Sequence, residues 1–324
     1  MSLCVIALLG LAWWGWVPAD AADACPSLPA NAAWIGVEWT SQPVDDAAVR
    51  ELAQATSQRR IRYLFPFTTY LKAGGTFNPT YDHAAAFVTA FRRYNPETQL
   101  FAWIGIPLAN DGLLGIEGTV DLSDPATREQ IVVLARLLVE EAGFDGIHLD
   151  AETVRSGDRA FLALLDEVKT VIGDRTLSVA GSYWLPRTVN ALPILDRFKW
   201  DARYYRAVAG RVDQVATMTY DSVMPWAPLY RLWMREQVRA IGRTLAATGA
   251  ELLIGLSVSR EKTLTPRPAA ESMQSGLAGL CAAQSRYSSA AFRVDGVAIY
   301  AAWEADTADW QRWVGWVGGP TARE

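Results

Sequence analysis

Short apolar segments alternate with longer segments of helical periodicity along most of the chain. Eight of the apolar segments have the length of a strand, and their nearly uniform apolarity is typical of strands that are buried on both faces. The predicted strands are Trp34 to Trp39, Ile61 to Phe65, Gln99 to Ile106, Phe144 to Asp150, Thr176 to Ser182, Gln214 to Tyr220, Leu252 to Ser257 and Gly296 to Ala301.

Segments with the 3.6-residue period of an amphipathic helix fill the gaps between these strands. The predicted helices include Asp45 to Gln58, Tyr81 to Arg93, Asp124 to Ala142, Asp158 to Ile172, Arg231 to Thr248 and Glu271 to Ser285. Asp124 and Thr307 stand immediately before apolar periodicity, which is the position of a helix N-cap residue.

Strict alternation of strand and helix indicates parallel strands that are joined by crossover connections. Eight such units in a chain of 324 residues predict an α/β fold of one domain, a (β/α)8 TIM barrel over residues 25–324. An open, doubly wound sheet is the alternative. It is less favoured because the chain has neither a Gly-x-Gly-x-x-Gly turn after the first strand nor a Gly-x-x-x-x-Gly-Lys motif.

The N-terminus predicts export of the protein. Leu3 to Val17 is an apolar run, and two Ala-x-Ala sites follow it, so residues 1–24 are interpreted as a secretory signal and the mature protein as secreted or periplasmic. Because no basic residue precedes the run, an uncleaved membrane anchor through residues 3–17 stays open. Lipidation of Cys25 is a weaker alternative, because Asp23 stands where a small uncharged residue is expected.

Composition excludes several classes of function. With 30 basic and 35 acidic residues the net charge is −5, which is the wrong sign for a nucleic-acid partner. Two histidines and three cysteines exclude a three-histidine metal site and a four-cysteine zinc site, and we expect neither a metal nor a cofactor. After removal of the signal, Cys25 and Cys281 remain and are expected to form one disulfide, although two unrelated thiols are the alternative.

Aromatic residues gather where the strands end. Trp39 ends the first strand, Trp184 follows the fifth, and Trp303 follows the eighth. In a barrel these positions share the face that carries active sites, and aromatic rings there suit the C–H faces of sugars. The pattern therefore predicts a polysaccharide or oligosaccharide partner for a protein that we expect to be monomeric. About half of these tryptophans are expected to pack within the fold instead.

The fourth strand is the most informative segment. Alternation along the segment from Phe144 to Glu152 places His148, Asp150 and Glu152 on one face. This face must point into the barrel, because carboxylates beneath the helices would cost several kcal/mol each. Two carboxyl groups on one line raise the pKa of one of them, which is how a general acid is made. A structural charge cluster is the alternative.

This segment, Asp145-Gly146-x-His148-x-Asp150-x-Glu152, resembles the Asp-Gly-x-Asp-x-Asp-x-Glu signature of the chitinase family of glycoside hydrolases, family 18. Met218-Thr219-Tyr220-Asp221 is similar to the Met-x-Tyr-Asp motif of that family. Asp295 to Tyr300, with Trp303 and Glu304, resembles its eighth strand. The three motifs lie in the family's order, on strands 4, 6 and 8.

The resemblance implies a retaining hydrolase of an N-acetylated glycan, in which the substrate's acetamido oxygen is the nucleophile. Glu152 would be the general acid, and Asp150 and Tyr220 would orient the acetamido group. Substrate contacts are further predicted for Asp221, Trp303, His148, Asp145, Met218, Trp39 and Trp184.

Three positions depart from the family pattern. His148 replaces the innermost aspartate, Ala151 replaces a tryptophan that is often present, and Trp103 to Pro107 replaces a Ser-x-Gly-Gly segment. A histidine behind Asp150 is expected to hold that aspartate ionised. Two alternatives therefore stay open: a glycan-binding protein without activity, and a barrel hydrolase or lyase of a non-acetylated polymer.

Overall fold

The computed structural model describes residues 16–319, apart from residues 24, 110–117, 185–198, 223, 261–268 and 288–289. Eight parallel strands pair in chain order, and the eighth pairs with the first, so the sheet is a closed barrel. The strands are Ala32–Ile35 (β1), Tyr63–Tyr70 (β2), Gln99–Pro107 (β3), Gly146–Glu152 (β4), Thr176–Gly181 (β5), Gln214–Thr217 (β6), Glu251–Ser257 (β7) and Gly296–Tyr300 (β8). The predicted (β/α)8 barrel is confirmed.

Helices follow the strands along the described chain and bury their apolar residues against the barrel. They are Glu38–Ser41 (α1), Asp46–Gln58 (α2), Ala84–Tyr94 (α3), Pro125–Glu140 (α4), Arg159–Ile172 (α5), Ala202–Ala209 (α6), Ala227–Leu245 (α7), Met273–Tyr287 (α8) and Thr307–Val317 (α9). Asp124 caps α4 as predicted, whereas the cap of α9 is Asp306 and not Thr307. Asp306 is the N-cap residue because its carboxylate and that of Asp309 form a reciprocal capping box.

Three strands end three or more residues from their predicted ends, and β6 is one of them, since it ends at Thr217 and not at Tyr220. β1 ends at Ile35 because the chain turns into α1, where the hydroxyl of Thr40 donates to the carbonyl oxygen of Phe67 at 2.9 Å. β2 continues beyond Phe65 to Tyr70 through Pro66, a residue that usually ends a strand. The register between β2 and β3 shifts between Phe67 and Thr69, which accommodates this irregular stretch.

The described part of the chain contains two distinct apolar clusters. The larger one lies between the barrel and the helices and consists mainly of aliphatic side chains. On α5, five fully or almost fully buried residues face it at helical spacing, namely Phe161, Leu164, Leu165, Val168 and Ile172. Each such side chain contributes roughly 1.5–3 kcal/mol by leaving water. The smaller cluster fills the barrel interior and is largely aromatic, with Trp34, Phe65, Phe101 and Trp103 among its members.

Residues 16–23 pack on the outside of the barrel, against α7 and α8. Val17 and Ala22 are buried there, and Arg231 donates to the carbonyl oxygen of Val17 at 2.8 Å. The predicted disulfide between Cys25 and Cys281 is confirmed, with the two Cα atoms 5.1 Å apart. Among the described residues, no helix combines the length and the apolar character that a membrane span requires. Cleavage after residue 24 stays a prediction.

Candidate active site

β4 carries the polar residues that were predicted to face the barrel interior. Three residues of β4 belong to the outer cluster beneath the helices: Ile147, Leu149 and Ala151. His148 and Asp150 alternate with them and are bonded by tryptophans of the interior, His148 by Trp34 and Asp150 by Trp103. The predicted orientation of the strand is therefore confirmed.

One carboxylate oxygen of Asp150 accepts a hydrogen bond, and the other is available as an acceptor. The indole N–H of Trp103, on β3, donates to Asp150 Oδ2 at 2.9 Å. The other oxygen, Oδ1, is buried and has no hydrogen-bond partner among the described residues. Burial raises the pKa of Asp150, and the bond from Trp103 lowers it by less. An unpaired buried acceptor is costly, which suggests that a ligand supplies the missing donor.

Glu152 ends β4 at the mouth of the barrel, where its side chain is reached by solvent yet is surrounded by other acidic groups. The negative charge of Asp150 raises the pKa of Glu152 most, followed by burial and by the charge of Asp221. A carboxyl group with a raised pKa keeps its proton close to neutral pH. Glu152 is therefore suited to give a proton to a bound substrate.

Tyr220 lies in the wall of the same cavity, and its ring stacks parallel to that of Tyr300 at 4.8 Å between centroids. The indole of Trp34 meets both rings edge-on. Burial, reinforced by nearby acidic groups, raises the pKa of the Tyr220 hydroxyl well above its usual value. The phenol therefore stays protonated and is a hydrogen-bond donor to whatever occupies the cavity.

The cavity has a volume of about 140 Å³ and opens to solvent. Its lining residues are Trp34, Trp103, Asp150, Glu152, Ala180, Met218, Tyr220, Asp221 and Tyr300. Five of the ten predicted site residues thus meet in one place: the two carboxyl groups of β4, and Met218, Tyr220 and Asp221 at the end of β6. Aromatic walls with three acidic groups are suited to a polar ligand that has flat apolar faces.

His148 has a different role from the one predicted. Its side chain is fully buried, its ring stacks on Phe65 at 4.3 Å, and burial lowers its pKa to about 3. Nε2 accepts from the indole N–H of Trp34 at 3.0 Å, so Nδ1 carries the proton and donates to Ser178 Oγ at 2.9 Å. The predictions that His148 contacts substrate and keeps Asp150 ionised are wrong, because the ring is neutral and both its nitrogens are bonded elsewhere.

Asp145 also lies away from the cavity. It precedes β4, at the opposite end from Glu152, where it accepts from Arg92 at 2.6 Å and from the backbone N–H of Leu100 at 2.9 Å. Asp213 and Asp295 hold the same position before β6 and β8 and accept from the backbone N–H groups of the preceding strands. The predicted substrate contact of Asp145 is wrong, since these aspartates tie strands together at the far end of the barrel.

The predicted rim tryptophans have three different environments. Trp39 lies on α1 and packs against Phe87 of α3, with ring centroids 5.7 Å apart, so its predicted place at a strand end is wrong. Trp184 packs partly buried against the outer core, and its backbone N–H donates to Gln237. Trp303 is 46% exposed and meets the cavity residue Tyr300 edge-on at 5.7 Å. Of the three, Trp303 has the surroundings of a sugar platform.

Trp34 and Tyr300 line the cavity, although neither is among the predicted site residues. Both are inward-facing residues of the inner cluster, on β1 and β8. Alternation along each strand, counted from Ala32 and from Ala298, would have placed both side chains inside the barrel. The sequence therefore contained this information, whereas the predicted site residues near β1 and β8 lie at or beyond the predicted strand ends.

No model of a known protein family matches the chain, and no curated protein does. Solved structures match its fold. The class V chitinase of Nicotiana tobaccum has a TM-score of 0.60 at 14% identity, over 91% of this chain and all of the chitinase. A mutant GH18 chitinase of Cycas revoluta in complex with (GlcNAc)4 has a TM-score of 0.58 at 14% identity, over 90% of this chain and all of that one.

The spore cortex-lytic enzyme SleL of Bacillus cereus matches equally well. Its TM-score is 0.58 at 16% identity, over 90% of this chain and 75% of SleL. This protein has a chitinase-like fold. At these identities the likeness concerns the barrel and its topology alone.

Proposed function

We propose that the protein hydrolyses glycosidic bonds in an N-acetylated glycan, with Glu152 as the general acid. The observation that carries the proposal is a pair on one strand: Glu152, whose pKa is raised, and Asp150, whose buried Oδ1 has no donor among the described residues. The N–H of an acetamido group supplies such a donor. A sugar without an acetamido group leaves the oxygen unpaired.

In the proposed reaction Glu152 transfers its proton to the glycosidic oxygen as the bond between that oxygen and the anomeric carbon breaks. The acetamido carbonyl oxygen forms the new bond to the anomeric carbon, which gives a cyclic oxazolinium ion. Asp150 accepts a hydrogen bond from the N–H of this cation, and the Tyr220 hydroxyl donates to the acetamido oxygen beforehand. Water then loses a proton to Glu152, attacks the anomeric carbon and restores its configuration.

The electrostatics of the pair give the reaction a bell-shaped dependence on pH. Glu152 must be protonated, so turnover falls as pH rises through its raised pKa. Asp150 must be ionised to stabilise the cation, so turnover also falls as pH drops through the pKa of Asp150, which burial has raised. The working range lies between the two.

Substrate binding is assigned to the aromatic walls and to the exposed ring of Trp303, with Met218 and Asp221 contacting the same sugar. Support comes from the fold, because the structural neighbours include chitinases solved with (GlcNAc)4. We also propose that the protein is exported. A disulfide between Cys25 and Cys281 supports an oxidising compartment, whether the N-terminal segment is cleaved or retained as an anchor.

A direct test offers the purified protein chito-oligosaccharides and peptidoglycan fragments and follows products by mass and by NMR. Retaining chemistry gives the β-anomer first from a β-linked substrate. Glu152→Gln is the matched control, since it keeps the shape of the side chain and removes its proton. Turnover by the variant at the wild-type rate, or an inverted first product, would overturn the proposal.

A glycan-binding protein without turnover is the second candidate, and His148 favours it. The neutral ring leaves Asp150 without a second carboxyl group with which to share a proton. Binding of N-acetylated oligosaccharides by the wild type, with no cleavage from acidic to neutral pH, would establish this candidate. Cleavage in the same assay removes it.

A further inference from the structure

Asp221 has an unusual backbone conformation at the edge of the cavity. Its φ is 55°, in the left-handed region that residues other than glycine seldom adopt. The residue follows the end of β6, and its carboxylate lines the same cavity as Glu152 and Tyr220. Some other part of the fold must therefore hold Asp221 in this conformation.

Glu271, which precedes α8, provides that support. Its carboxylate accepts from the backbone N–H of Asp221 at 2.8 Å through Oε2, and from the backbone N–H of Ser222 at 2.8 Å through Oε1. The hydroxyl of Ser222 donates to the same Oε1 at 2.6 Å. Glu271 is 2% exposed, so these three bonds form away from water. Two successive backbone N–H groups that converge on one anion are typical of a left-handed turn.

We propose that Glu271 is a positioning residue, which fixes the carboxylate of Asp221 in the cavity beside Glu152. This inference rests on the proposed function, in which Glu152 is the acid and Asp221 binds the sugar. Glu271 lies 50 residues from Asp221 in the chain, and among the described residues it holds Asp221 through the backbone N–H of that residue. Its three donors are two amides and a hydroxyl, so the carboxylate is engaged in shaping this turn.

The geometry predicts a consequence for the acid. Asp150 of β4 and Asp221, which lies beyond the end of β6, both raise the pKa of Glu152, and Tyr220 and Tyr300 line the same cavity. Among the described residues, the titratable groups that interact with Glu271 include Asp221 and the buried Tyr230 of α7. If Asp221 leaves its place, one negative charge moves away from Glu152, so the pKa of Glu152 falls.

The test is Glu271→Gln, read out by a carbon-13 NMR titration of the Glu152 carboxyl group. The amide of the variant places an NH2 group against one of the two backbone N–H groups, so the turn loses a bond. We expect the pKa of Glu152 to fall and the alkaline limb of the activity profile to move to lower pH, with a loss in kcat of roughly 10- to 100-fold. A crystal structure should show that φ of Asp221 has left the left-handed region.

A double-mutant cycle separates positioning from a direct effect of the lost charge. In an Asp221→Asn background, Glu271→Gln should no longer shift the Glu152 titration. An equal shift with and without Asp221 overturns the inference, as does an unchanged titration and backbone in Glu271→Gln alone. Asp213→Asn, which loosens the opposite end of β6, is the control for general destabilisation and should leave the titration unchanged.

The NMR titration needs no substrate, so the two proposals fail separately. A shift in the pKa of Glu152 in a protein that cleaves no glycan keeps the positioning role and removes the hydrolase. Turnover by the wild type with an unshifted titration in Glu271→Gln does the reverse.

Discussion

The barrel interior has a lower half, toward the N-terminal ends of the strands, and an upper half, toward their C-terminal ends. The polar groups of the two halves differ in how completely they are hydrogen-bonded. In the lower half a chain of directed bonds runs from Trp34 to His148, to Ser178, to Gln214 and to Glu251, which also accepts from Tyr63. In the upper half three acidic groups face one cavity, and Asp150 Oδ1 has no partner among the described residues.

This difference indicates which half of the barrel would hold the ligand in the proposed function. A completed chain of hydrogen bonds makes a rigid support, because each member fixes the orientation of the next. His148 belongs to that support: it orients the indole of Trp34, which lines the cavity from below. The acidic groups above repel one another and retain unused capacity, and such groups are typical of functional sites.

The largest expected effect comes from Glu152→Gln, in the upper half. Loss of a general acid lowers kcat by roughly 100- to 10,000-fold, while ligand affinity is retained. The folding stability of the variant, in contrast, should be higher than that of the wild type at alkaline pH. Because the pKa of Glu152 is raised in the folded state, its ionisation destabilises the fold as pH rises from about 4.5 through that pKa, and the neutral glutamine escapes this loss. Turnover assays, ligand titration and urea unfolding at two pH values check these three expectations. A variant that is less stable than the wild type at alkaline pH would contradict the prediction for stability.

The next effect belongs to the lower half and has the opposite pH dependence. Burial lowers the pKa of His148 from 6.5 to about 3, so the unfolded chain takes up a proton that the folded protein does not. Protonation of His148 in the unfolded chain therefore destabilises the folded state at low pH, and this stability is lost as pH falls from about 6.5 to about 3. A shift of this size is worth roughly 3–5 kcal/mol.

His148→Gln tests this dependence, because glutamine keeps a donor and an acceptor but does not titrate. Unfolding free energy measured between pH 7 and pH 4 should fall less steeply in the variant than in the wild type. The chain has two histidines, so His83→Gln is the matched control; His83 is only partly buried. Parallel slopes for the wild type and His148→Gln would mean that the buried histidine is protonated in the folded protein.

The contrast between the halves also marks how far the sequence predicts the structure. Alternation predicted that His148 and Asp150 point inward, because a strand has only two faces. It could not predict the partners of His148, since Trp34 and Ser178 come from β1 and β5 and meet it only after the barrel has closed. Asp145 was wrongly predicted to contact substrate because it belongs to the same sequence motif as Glu152. The two residues are close in the chain, but they lie at opposite ends of β4 and are therefore far apart in space.

Trp303→Ala should weaken ligand binding by about 1–3 kcal/mol with little effect on the melting temperature. The ring is 46% exposed and contacts Tyr300 at the cavity, so it has more surface to offer a sugar than to the core. Trp313→Ala is the matched control: that ring is fully buried, and its loss should cost roughly 3–5 kcal/mol of stability. A large fall in the melting temperature of Trp303→Ala, with affinity unchanged, would place Trp303 in the core.

The smallest effect is expected at the far end of β4, from Asp145→Asn. The variant weakens the bonds from Arg92 and from the backbone of Leu100, and since both side chains are partly exposed we expect a loss of only about 1–2 kcal/mol in unfolding free energy. Asp145 lies roughly 20 Å from Glu152 along the strand, so kcat and KM should not change.

Asp150→Asn, on the same strand, is the partner experiment for Asp145→Asn. Because burial disfavours the charge of Asp150, its neutral replacement should leave stability equal or higher at neutral pH, while turnover is lost. The same substitution at two aspartates five residues apart thus separates stability from activity. A change in KM for Asp145→Asn would show that the substrate reaches past the barrel, and would undo the division between its two ends.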